Sequence, residues 1–145
     1  MTAGTDPAGI PVAILAGGLG TRLRPAIGEQ PKVVADVGGR PFLAWLPDQV
    51  AAAGFRDSVL CVGWRADQVE AAIGHAHGPL RLRYSRETSP LGTGGALRRA
   101  LPLLEGDRAM VMNGDSACDA DLVAAWTWHD AVRSEATLEI GRAHV

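Results

Sequence analysis

The chain has 145 residues, an apolar fraction of 47% and a formal net charge of −2. That length sets a ceiling of one domain, with enough apolar material for a true core. The charge balance excludes a general nucleic-acid binder, whose phosphate affinity rests on a basic surface. No apolar run reaches the roughly 18 residues of a membrane span.

Residues 1–9 are small and polar, without the basic start and apolar stretch of a secretory leader. An apolar run at 12–16 reads as a first strand. Residues 42–53 read as a helix, with Pro41 suited to its first position and Gly54 to its end. Pro47 lies inside that helix, where a missing N–H and a clash with the preceding turn cost about 3 kcal/mol. Either the helix kinks and restarts there or the proline damages it. Residues 58–62 form a second strand. A short helix at 66–73 carries Val69, Ala72 and Ile73 on one face. Residues 80–84 alternate Leu, Arg, Leu, Arg, Tyr, the pattern of a half-exposed strand. A helix at 95–104, a buried strand at 109–112 and a helix at 119–132 follow, the last capped by Asp119 or Asp121. Alternating strands and helices predict a three-layer, Rossmann-like α/β domain with a mostly parallel sheet. Ligands of such sheets bind outside the carboxyl ends of the strands. The loops after strands 12–16 and 109–112 fall on that one edge.

The first of those loops carries the strongest chemical signal. Residues 15–25 read L-A-G-G-L-G-T-R-L-R-P, and Pro31-Lys32 follows. Gly17, Gly18 and Gly20 let backbone N–H groups approach a ligand closely, and such groups suit phosphate oxygens. Thr21, Arg22 and Arg24 add a hydroxyl and two charges. Lys32 is the only lysine among 14 basic residues, and it stands where a compact ammonium could serve a phosphate. A Walker A loop is absent, and Leu23 occupies the third glycine position of a dinucleotide fingerprint. A plain strand and tight turn, or a dinucleotide-binding domain of an oxidoreductase, remain open on glycines alone.

The complete string, with its downstream P-K, resembles the signature of sugar-phosphate nucleotidyltransferases. The resemblance continues through Gly39-Arg-Pro-Phe-Leu-Ala-Trp45, through Tyr84-Ser-Arg-Glu87 with Leu91-Gly-Thr-Gly-Gly-Ala96, and through Val111-Met-Asn-Gly-Asp115. Its details are most similar to the D-glycero-D-manno-heptose 1-phosphate and mannose 1-phosphate guanylyltransferase branch. The resemblance implies transfer of a nucleoside monophosphate, from GTP by preference, to a sugar 1-phosphate with release of pyrophosphate. That reaction would feed nucleotide-sugar and surface-polysaccharide synthesis. A non-catalytic nucleotide-binding module is the alternative.

The family pattern implies the site residues. Leu15, Ala16, Gly17, Gly18, Gly20, Thr21, Gly92, Gly94, Gly95 and Asn113 would face the nucleotide. Arg22 and Lys32 would offset charge on the departing pyrophosphate. Asp115, at a strand's carboxyl end, would hold Mg²⁺; its structural alternative is an Asx turn or helix cap. His75 and His77 lie in a Gly-rich loop without the further ligands a zinc site needs. Trp126 and Trp128 read as helix-face packing or former domain contacts, not as a stacking platform. The implied partners are a nucleoside triphosphate and a sugar 1-phosphate, with no nucleic acid and no membrane. Cys61 and Cys118 form no disulfide framework, so a reducing cytoplasm is the expected home. Family members continue past residue 138. Residues 1–138 therefore read as the nucleotide-binding part of the domain, truncated before the acceptor half. Residues 139–145 read as a non-native tail, since 140–145 match the translation of a common sequencing adapter. Weak or absent turnover is expected of such a fragment.

Overall fold

Val12, Ala13 and Ile14 are completely buried, and this puts the first apolar run in the middle of a sheet covered on both faces. A computed structural model describes residues 6–140. Most of the expected tail and the first five residues lie outside that range, as does the side chain of Arg24.

Five strands make one sheet: β1 (Pro11–Leu15), β2 (Asp57–Val62), β3 (Ala76–His77), β4 (Leu80–Arg86) and β5 (Met110–Asn113). Their order is β3-β4-β2-β1-β5. β1 lies parallel to both β2 and β5, and β2 is parallel to β4. Only the short edge strand β3 runs antiparallel, against β4. Strands buried on both faces read as continuous apolar runs, which is why β1 and β2 were visible in the sequence. β4 alternates because Leu80 and Leu82 enter the core while Arg81 and Arg83 pair with Asp57 of β2 on the opposite face.

Helices cover both faces. The larger core joins Leu46 and Val50 of α2 (Trp45–Ala52), Val69 of α3 (Ala66–Ile73), and Leu122 and Trp126 of α5 (Leu122–Val132) to the sheet. On the other face, Ala96 and Ala100 of α4 (Gly92–Ala100) meet Val59 and Cys61. A four-residue helix, α1 (Arg24–Ile27), follows the glycine loop. The expected three-layer, mostly parallel α/β architecture is therefore present. Among the described residues no helix is long and apolar enough to cross a membrane.

Several boundaries move for physical reasons. The helix expected at 42–53 is two pieces, a 3₁₀ turn at Phe42–Ala44 and then α2. Pro47 is the third residue of α2, and first-turn amides have no intrahelical acceptor. The interior penalty does not apply. Instead Pro47 is fully buried packing material. The helix expected at 95–104 begins at Gly92 and gives way to a 3₁₀ turn at Leu101–Leu103, where Pro102 lacks the N–H to continue it. α5 starts at Leu122 because Asp121, not Asp119, caps it, accepting the Ala124 amide at 2.9 Å.

Candidate functional site

The carboxyl ends of β1 and β5 are locked side by side. Leu15 pairs with Asn113, and the Gly114 amide donates to the Leu15 carbonyl at 2.7 Å. The glycine loop leaves β1 at that point. Gly20 adopts φ +58, and a Cβ there would stand 2.9 Å from the Cβ of Lys32. Glycine thus lets the loop close directly onto the lysine. Pro31 and Val33, both buried, fix the backbone on either side of Lys32.

These elements enclose a cleft of about 660 Å³. Leu15, Ala16, Gly17, Gly18, Gly20, Thr21 and Arg22 line it from β1 and its loop, Gly92 from the start of α4, and Asn113 and Asp115 from the end of β5, with Lys32 between. Gly94 and Gly95, expected at the nucleotide, do not line it; they lie in the body of α4. Close packing accounts for Gly95, whose Cβ would stand 2.7 Å from that of Leu91.

Lys32 Nζ donates to Asp115 Oδ2 at 3.1 Å, the two side chains being 35% and 49% exposed. The Ser116 hydroxyl donates to the other carboxylate oxygen at 3.2 Å. The hydrogen bond from Lys32 holds the Asp115 carboxyl below its ordinary value of 3.8, and partial burial opposes this. Asp115 takes no part in capping α5, which is the task of Asp121. Among the described residues no three His, Cys, Asp or Glu side chains stand together as a metal cluster. A single carboxylate completed by substrate phosphate oxygens is nonetheless a common donor set for Mg²⁺. Asp115 would offer one such carboxylate, one oxygen of which Lys32 now occupies.

Glu87 also faces this cleft; it ends Tyr84–Glu87, the stretch that the family resemblance likens to a base-binding strand, but the sequence did not single it out as a site residue. It follows β4 and is held by its own amide, which donates to the Val62 carbonyl at 2.9 Å. A Cβ on either Gly17 or Gly63 would stand 2.9 Å from Glu87 Oε1. Two glycines on neighbouring strands therefore make room for one carboxylate. Its Oε2 is buried. Buried polar atoms are nearly always paired, and this oxygen has no partner among the described residues. Beside it, burial and then the charge of Glu87 push the Cys61 thiol up to about 11, leaving a protonated, inert sulfur.

The other residues singled out are structural. His77 lies in strand β3, not in a loop, and pairs with Asp48 of α2, while His75 meets Glu70 at 3.1 Å. Burial would raise the Asp48 carboxyl, but its bonds to Arg40 and His77 outweigh this and lower it. Trp126 packs in the core, whereas Trp128 is 57% exposed.

Residues 12–137 match the protein family described as the MobA-like NTP transferase domain. The chain is 37% identical over 134 residues to a mannose-1-phosphate guanylyltransferase of Mycobacterium tuberculosis, covering 92% of this chain and 37% of that protein. It is 40% identical over 116 residues to an N-acetylmuramate alpha-1-phosphate uridylyltransferase of Neisseria meningitidis, covering 78% of this chain and 50% of that one. The crystal structure of HddC from Yersinia pseudotuberculosis in complex with GMP-PN superposes with a TM-score of 0.71 at 32% identity, covering 86% of this chain and 53% of that one. The chain thus spans between about a third and about half of the length of these relatives.

Proposed function

The chain belongs to the family of MobA-like NTP transferase domains, and from that premise we propose that its cleft takes GTP and serves transfer of the nucleotidyl group to a sugar 1-phosphate, with release of pyrophosphate. The observation that carries the reading is the convergence on one cleft of the glycine loop, the single lysine, the strand-end Asp115 and Glu87. The loop amides would receive phosphate oxygens. An oxygen of the sugar phosphate attacks the α-phosphorus; the new P–O bond forms as the bond to the pyrophosphate oxygen breaks. Arg22 and Lys32 would offset the charge left on that pyrophosphate. Asp115 would hold Mg²⁺ together with the triphosphate, the ion supplying further neutralisation of the phosphates.

The relatives include both guanylyl- and uridylyltransferases, so the base is argued from Glu87. An ionised carboxylate only accepts hydrogen bonds. Guanine presents N1–H and the N2 amino group side by side, whereas uracil offers one N–H between two carbonyls. Glu87 lines the cleft, and a carboxylate there matches the paired donors of guanine better than the single N–H of uracil. Free thiols at Cys61 and Cys118 support a reducing, cytoplasmic setting.

The test is a pyrophosphate-release assay, using the chain both alone and extended by a relative's C-terminal half. The four nucleoside triphosphates are combined with mannose, heptose and N-acetylmuramate 1-phosphates. Release from GTP that requires one of these sugars, strong in the extended protein and weak in the chain alone, is expected. GTP binding without release in the extended protein would mark a non-catalytic nucleotide module, and the absence of triphosphate binding would overturn the reading.

A further inference from the structure

The lysine that the proposed reaction needs at the phosphates is already occupied. Its ammonium lies on Asp115 at 3.1 Å, the carboxylate that fits a divalent ion. Its backbone cannot drift away, because Gly20 packs against its Cβ and Val33 is anchored in the core. Only the flexible four-carbon stem can move the charge. A divalent ion on either oxygen of Asp115 would lie within a few ångströms of that ammonium, and the two like charges would repel each other.

We infer that Lys32 is a built-in counter-ion of Asp115 which a divalent cation displaces, and that the displaced ammonium becomes the phosphate ligand. Cation and triphosphate then bind with positive coupling, each favouring the other by the same factor. Before nucleotide arrives, the pair keeps an uncompensated carboxylate from repelling the triphosphate. This inference rests on the transferase reading for its second half, the destination of Lys32, but not for the exchange at Asp115. A partly exposed ion pair shifts an equilibrium by about two- to fivefold, and that sets the size of the effect.

Lys32 is the only lysine in the chain, so lysine labelled with carbon-13 at Cε yields a single side-chain resonance. Adding Mg²⁺ alone should move that resonance saturably toward its position in Asp115→Asn, and leave it unmoved in Asp115→Asn itself. Binding of Mn²⁺ alone, followed by water-proton relaxation, should be about two- to fivefold tighter in Lys32→Met than in the wild type. Lys32→Arg keeps the charge and should stay near wild type, and circular dichroism checks that each variant is folded. Mn²⁺ binding that is unchanged or weaker in folded Lys32→Met, or a lysine resonance indifferent to Mg²⁺, would overturn the exchange. These arms use no nucleotide. A failure of GTP to bind would sink the transferase reading alone, and tight GTP binding beside unchanged metal affinity in Lys32→Met would sink the exchange alone.

Discussion

Replacing Pro47 with alanine separates two opposite views of that residue. A proline in a helix interior costs about 3 kcal/mol, and its removal would stabilise the chain by a comparable amount. In the structure Pro47 stands in the first turn of α2 and is fully buried. A residue-47 amide lies in the first turn of α2, where amides have no intrahelical acceptor. Alanine therefore gains no helical hydrogen bond. It loses two buried ring methylenes at about 0.8 kcal/mol each, and it frees the unfolded chain by a further 0.4–1 kcal/mol or so. The net expectation is a destabilisation of about 2 kcal/mol. With a urea slope of roughly 1–3 kcal/mol per molar, the midpoint should fall by about 1 M at unchanged slope. A midpoint that rises would refute the reasoning and restore proline as a helix breaker.

Three further outcomes follow from the same geometry. Gly114→Ala places a Cβ 2.6 Å from the Leu15 carbonyl oxygen, so it should cost about 1–3 kcal/mol in urea unfolding; a neutral variant would mean the β1–β5 junction is soft. The Asp115 carboxyl is held below 3.8 by Lys32, so this pair's contribution to stability is present above about that pH and lost as pH falls through the lowered value. Acid unfolding of Lys32→Met should lack that component, and superimposable profiles would count against the pair. With the Cys61 thiol pushed up to about 11 by burial and Glu87, alkylation of the native chain near pH 8 should label Cys118 first, as peptide mass mapping would show; equal rates would contradict the sealed setting of Cys61.

What the sequence revealed, and what it concealed, divides along local and non-local lines. β1 and β2 were legible because parallel strands buried on both faces are unbroken apolar runs, and α3 because its apolar residues share one helical face. The glycine loop was legible because its glycines, its hydroxyl and its charges are contiguous. A 3₁₀ turn running into a helix has nearly the same apolar spacing as one longer helix, so Pro47 was placed in an interior that does not exist. β3 has two residues, too few for any period, and His77 consequently looked like part of a loop. Gly94 and Gly95 resembled site glycines because they sit beside Gly92, yet a helix turns its successive residues to different sides. Glu87 ends a stretch likened to a base-binding strand, yet nothing local marks the residue itself. Its significance depends on Gly17 and Gly63, which the β1–β2–β4 register brings to it from distant positions.

The central claim is that this cleft reads guanine through Glu87 while the glycine loop holds the phosphates. Calorimetric titration of the chain with GTP and with UTP in the presence of Mg²⁺, repeated with Glu87→Gln, addresses it most directly. Hydrogen bonds to a charged group contribute about 1.5–3 kcal/mol, so GTP should bind roughly 10- to 100-fold more tightly than UTP. Glu87→Gln should lose most of that preference while leaving UTP binding nearly unchanged. Equal affinities for the two nucleotides, or a preference that survives in Glu87→Gln, would contradict the account.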